Sequence, residues 1–64
     1  MRIYDAYPKV DEFENLLEDA DSNAGNQWEL EFVSDINERF EKYGGDTFIS
    51  KKQIEILNRI ARGE

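Results

Sequence analysis

The chain has 64 residues, a formal charge of −7, and neither cysteine nor histidine. These absences exclude a disulfide framework, a thiolate zinc site, a cysteine nucleophile and an imidazole general base. The length leaves room for one helical domain spanning the whole chain, and a chain this short hides only about 60% of its unfolded surface, so each large apolar side chain matters.

The charge is unevenly placed. Nine acids (Asp5, Asp11, Glu12, Glu14, Glu18, Asp19, Asp21, Glu29 and Glu31) face only Arg2 and Lys9 in residues 1–31, whereas residues 32–64 hold six acids and six bases. The overall field repels nucleic acid, and the bases Lys51, Lys52, Arg59 and Arg62 gather near the end. No apolar run approaches the roughly 18 residues that would span a bilayer, and Met1 to Tyr7 lacks the apolar core of a signal peptide. A soluble, cytoplasmic protein with no membrane contact is expected.

Residues 1–7 carry Ile3, Tyr4 and Tyr7 ahead of Pro8, and the residue before a proline is biased to extended geometry, which predicts an extended arm. Pro8 suits a first helical turn, and Val10, Phe13, Leu16, Leu17 and Ala20 follow at helical spacing, so the first helix is predicted near 8–20. Asp11, Glu12 and Glu14 lie in its early turns, where the helix dipole favours negative charge.

The run Asp19-Ala-Asp-Ser-Asn-Ala-Gly25 reads as a break between helices. Asp19, Asp21 and Asn23 stand at positions 1, 3 and 5 of a calcium loop, but Ala24 replaces its turn glycine and Leu30 its bidentate glutamate. A plain loop is therefore expected, with no metal and no cofactor.

A second helix is predicted over 27–43. Asn26 can cap it with Glu29 reaching back, and Trp28, Phe32, Ile36, Phe40 and Tyr43 recur at steps of four, four, four and three. Leu30 lies off that stripe and is expected to pack against the first helix. Glu38 with Lys42 and Asp35 with Arg39 are i to i+4 pairs, each contributing about 0.2 to 0.5 kcal/mol. Gly44-Gly45 supplies a left-handed helix ending.

A third helix is predicted over 51–62. Ser50 and Gln53 form a capping box, with Ile49 and Ile54 placed as a hydrophobic staple. Leu57 and Ile60 make its inner face. Lys51 and Lys52 break a local rule, since the dipole disfavours cations in a first turn, and such a violation marks a candidate site. Ile56 departs from the Leu57 and Ile60 direction and is a candidate contact. The expectation is an all-α three-helix domain with an N-terminal arm, its core built on Trp28, Phe32, Ile36, Phe40, Leu57 and Ile60.

The pattern Trp28-Glu29-x-x-Phe32-Val33-x-x-Ile36-x-x-Arg39-Phe40, then Gly44-Gly45, then Ser50-x-Lys52-Gln53-x-x-x-Leu57-x-x-Ile60 resembles a segment of bacteriophage DNA replication, recombination and repair proteins. The small companion domain of the T4-type helicase UvsW is the family it is similar to. That resemblance implies an accessory to DNA processing in an infected cell.

Catalysis is not expected: paired carboxylates need a shaped, partly desolvated cleft, and Ser22, Ser34 and Ser50 have no histidine to activate them. No small-molecule substrate is expected either. Two function classes remain. One is a non-enzymatic module that docks onto a protein of DNA metabolism, with weak single-stranded DNA contact, using Lys51, Lys52, Arg59, Arg62 and Ile56. The other is an acidic inhibitor or nucleic-acid mimic that presents Asp11, Glu14 and Glu18 to a basic groove on a host enzyme.

Overall fold

The computed structural model describes residues 1–63. Its elements are α1 (Ile3–Ala6), α2 (Val10–Asn23), α3 (Gln27–Tyr43), a 3₁₀ turn (Gly44–Asp46) and α4 (Lys51–Ala61). The protein is a small all-α domain, as its spacing predicts, with no strand among the described residues.

Where helix boundaries are set by neighbouring side chains, they fall as the sequence predicts. The Asn26 Oδ1 accepts the Glu29 N–H at 2.8 Å and starts α3. The Glu29 carboxylate reaches back one residue further than a capping box requires, accepting the Gly25 N–H at 2.7 Å. At α4 the box is complete: Ser50 Oγ accepts the Gln53 N–H at 3.1 Å, and Gln53 Oε1 accepts the Ser50 N–H at 2.9 Å. Gly44 ends α3 with φ of +58°, a left-handed geometry that favours glycine.

Where boundaries depend on distant parts of the chain, they depart from prediction. α2 does not break at Ala20 but runs to Asn23, whose side-chain amide donates to Ala61 O at the end of α4 at 2.9 Å. That bond links the ends of two helices and offsets the turn preference of Asp21, Ser22 and Asn23. The start of α2 also moves: Lys9 is the cap, with Pro8 just outside the helix.

The arm differs more. Residues 3–6 form a single helical turn, while residues 1–3 lie antiparallel to 47–49. Ile3 N–H donates to Thr47 O at 2.9 Å, and Ile49 N–H donates to Met1 O at 2.7 Å. Thr47 is buried, and its hydroxyl lies 2.8 Å from Gly44 O and 3.2 Å from Arg39 O, so its one proton has two acceptors. The pairing fixes Ile3 in the core with no exposed surface.

The core is one cluster of Ile3, Phe13, Leu17, Ala20, Val33, Ile36, Phe40, Ile49, Leu57 and Ile60. Phe13 sits at its centre, with Tyr7 packed edge-on at 5.4 Å and Phe40 at 5.3 Å between ring centres. α4 lies chiefly against α2, and α3 closes the other side of α2. Ile36, Phe40, Leu57 and Ile60 take the buried positions expected of them. Trp28 does not: it is 58% exposed, and Phe32 is half-buried at the margin. The cause is geometric. A four-residue step overshoots a 3.6-residue turn by about 40°, so three such steps turn Trp28 about 120° away from Phe40. Val33, seven residues before Phe40, returns to within about 20° of it and is buried.

Candidate interaction site

Because the capping box starts α4 at Lys51, residues 52, 56 and 59 follow at i, i+4 and i+7 and fall within about 60° of the helix surface. Trp28, in the first turn of α3, meets that face. Trp28, Glu29, Lys52, Ile56, Arg59 and Ile60 line a groove of about 340 Å³. The indole is stacked on Phe32, with ring centres 5.2 Å apart and planes 14° from parallel. Ile56 is half-buried and packs against the core beside Ile60, so the residue that seemed to point away forms the apolar floor of this groove. Glu29 is the acid of the lining, and its carboxylate is engaged by the Gly25 N–H.

The remaining predicted cations are close by. Lys51 is exposed in the first turn of α4, and Arg62 is exposed at its C-terminal cap. Arg59 and Arg62 border a second groove with Ile54, Glu55 and Asn58, of about 520 Å³. The structure therefore brings Lys52, Ile56 and Arg59 together, links Arg62 to them through Arg59, and leaves Lys51 at the helix start. Trp28 was missed as a site residue, since its size argued for burial. The signal that could have found it is the 120° rotation already contained in its spacing.

Asp11, Glu14 and Glu18 are all exposed on α2. Glu14 and Glu18 join Asp21 and Glu41 on the rim of a groove of about 430 Å³ between α2 and α3, floored by Leu17, Val33 and Phe40. No cation lines it, and Asp11 lies outside it. Asp19, Asp21 and Asn23 sit on helical backbone rather than in a loop, and Asn23 donates to Asp19 O at 3.0 Å. Among the described residues no group of three or more Asp or Glu side chains is arranged to hold a metal ion.

The far end of α3 carries a separate aromatic surface. Tyr43 is 57% exposed and Phe48 68% exposed, with the Arg2 guanidinium 4.9 Å from the Phe48 ring centre. Lys42 lies 5.5 Å from the Tyr43 ring centre rather than pairing with Glu38, whereas Arg39 and Asp35 form the expected pair at 3.2 Å. Leu30 also departs from expectation: it is 43% exposed on the outer side of α3 instead of packing on α2. No described helix is long and apolar enough to cross a membrane. No protein-family model, curated protein or solved structure matches the chain.

Proposed function

We propose that this domain is a non-enzymatic accessory module that docks onto a protein of DNA replication, recombination or repair in the cytoplasm, and that its α4 face makes a weak contact with single-stranded DNA. The observation that supports docking is the exposed Trp28 beside Ile56, between the cations Lys52 and Arg59. Aromatic and apolar centres rimmed by arginine are the composition in which interface energy concentrates. The assignment to DNA metabolism comes from the resemblance of residues 28–60 to bacteriophage replication and repair proteins.

The acidic inhibitor remains the second reading, favoured by the groove between α2 and α3. Glu14 and Glu18 are like charges at i and i+4, an arrangement that costs a few tenths of a kcal/mol (about 0.2 to 0.5) in a helix, and no cation in the groove offsets it.

The two readings make opposite predictions for co-purification of a partner from cells expressing the full chain. Reversing Lys51 and Lys52 to Glu should abolish recovery if the α4 face docks, while Asp11→Asn, Glu14→Gln and Glu18→Gln together should leave it intact. The reverse pattern would replace the docking reading with the inhibitor.

A further inference from the structure

Trp28 is the chain's single tryptophan, and the fold holds it at the surface rather than in a core short of large side chains. One ring face is taken by Phe32 in a near-parallel stack. The groove that the indole borders is lined by the apolar Ile56 and Ile60, by the exposed cations Lys52 and Arg59, and by Glu29, whose carboxylate is engaged by the Gly25 N–H. Neither cation forms an ion pair among the described residues. The arrangement is a flat aromatic surface with two cations and one carboxylate beside it.

We propose that Trp28 is a stacking platform for one unpaired base of single-stranded DNA, with Lys52 and Arg59 receiving the phosphates on either side of that base. The proposal rests on the α4 reading above and names the residue and ligand group that reading lacks. Two observations favour a base over an acidic apolar peptide. The Trp28 and Phe32 planes are 14° from parallel, so a third planar ring continues the stack, and of the two ligands a base offers the wider planar face. The cations Lys52 and Arg59 are exposed, where a passing backbone can reach them, whereas Ile56 is half-buried and Ile60 buried.

The selectivity follows from access. A duplex keeps its bases stacked on one another, so only a single strand can offer a face to the indole. Stacking tolerates any base, because every base has a π-face. The net charge of −7 opposes long-range attraction, which keeps the free affinity low. Docking on a DNA-bound partner would compensate by raising the local concentration of the strand.

The test is a titration of the full chain with a short oligothymidylate and with a duplex of the same length, at low and moderate salt. Binding is read both from quenching of Trp28 emission and from anisotropy of a labelled strand. The expected result is saturable quenching by the single strand, weaker at higher salt and absent with the duplex. Trp28→Leu should weaken anisotropy-detected binding roughly 5- to 150-fold, the loss of one stacked base, while Trp28→Phe should restore most of it. Lys52→Gln and Arg59→Gln should each weaken binding and lower the salt slope by about one.

Anisotropy-detected binding without quenching, indifferent to Trp28→Leu, would overturn the stacking site and leave the α4 contact standing. No binding to the single strand at low salt would overturn both DNA contacts, leaving docking to be judged by the partner experiment. Quenching by an acidic, aromatic peptide but not by the strand would make the groove a peptide site and overturn the proposal.

Discussion

The N-terminal arm and the first turn of α3 exchange the roles that their side chains suggest. The arm is short, precedes a proline and resembles a loose end, yet it contributes Ile3, fully buried, and the backbone pairing that holds Thr47 and Ile49 in place. The start of α3 has the largest side chain in the protein and an intact cap, yet it presents that side chain to solvent. Burial in so small a domain thus follows position, set by backbone pairing at Ile3 and by rotation around the helix at Trp28, more than side-chain size. Ile3 is held inside by backbone bonds to a segment more than 40 residues away, whereas Trp28 is stacked on Phe32 at the border of the α4 groove and stays 58% exposed.

The largest effect should come from the arm. Ile3→Ala removes a fully buried side chain and is expected to cost about 2 to 5 kcal/mol, read as a lower urea midpoint with an unchanged slope. In a domain of this size that loss could leave much of the population unfolded. A change below about 0.5 kcal/mol, the level of ordinary surface substitutions, would show that the arm is dispensable and would cancel the contrast with Trp28.

Gly45→Ala probes the same region from the other side. A Cβ there would lie 2.5 Å from the Tyr4 ring, so the ring must swing outward, with an expected cost of about 1 to 3 kcal/mol. Tyr4 is partly exposed and able to move. Repeating the substitution in a Tyr4→Ala background should recover most of the cost, because the two sites touch and their effects should not add. Simple additivity in thermal or urea unfolding would mean that the glycine is needed for some reason other than this contact.

These contacts also show which parts of the molecule were legible in the sequence. The limits of α3 and the start of α4 could be read because Asn26, Gly44, Ser50 and Gln53 act on groups no more than four residues away. The extension of α2 to Asn23 could not, since it depends on Ala61, 38 residues on. The pairing of residues 1–3 with 47–49 has the same character. Of the candidate site, Lys52, Ile56 and Arg59 were visible as a cationic start and an off-face isoleucine on one helix. Their convergence with Trp28 depends on how α3 and α4 each pack on α2, which no local spacing specifies.

Ser50→Ala tests a legible element directly. It removes the oxygen that accepts the Gln53 N–H and should cost about 1 kcal/mol, less than either change in the arm region. Ser50→Gly should cost only a few tenths, since glycine also suits a cap. An equal loss for both variants would indicate that the missing hydroxyl, rather than cap conformation, sets the cost at this boundary.

A loss below that of a buried aromatic is expected at Trp28. Trp28→Ala gives up the Phe32 stack, about 0.5 to 1.5 kcal/mol beyond area, together with the covered part of the indole, and the better helix propensity of alanine returns only part of this, so the net loss should be about 1 to 3 kcal/mol. A buried tryptophan would instead cost about 3 to 5 kcal/mol. Urea unfolding of Trp28→Ala beside Ile3→Ala therefore sets the two regions against each other in one measurement. If the tryptophan variant lost as much stability as the isoleucine variant, the indole would belong to the core and could not offer a free face. If it folds nearly as well as the parent, the large aromatic surface at the start of α3 is not being retained for stability, and a ligand-contacting role is the physical alternative.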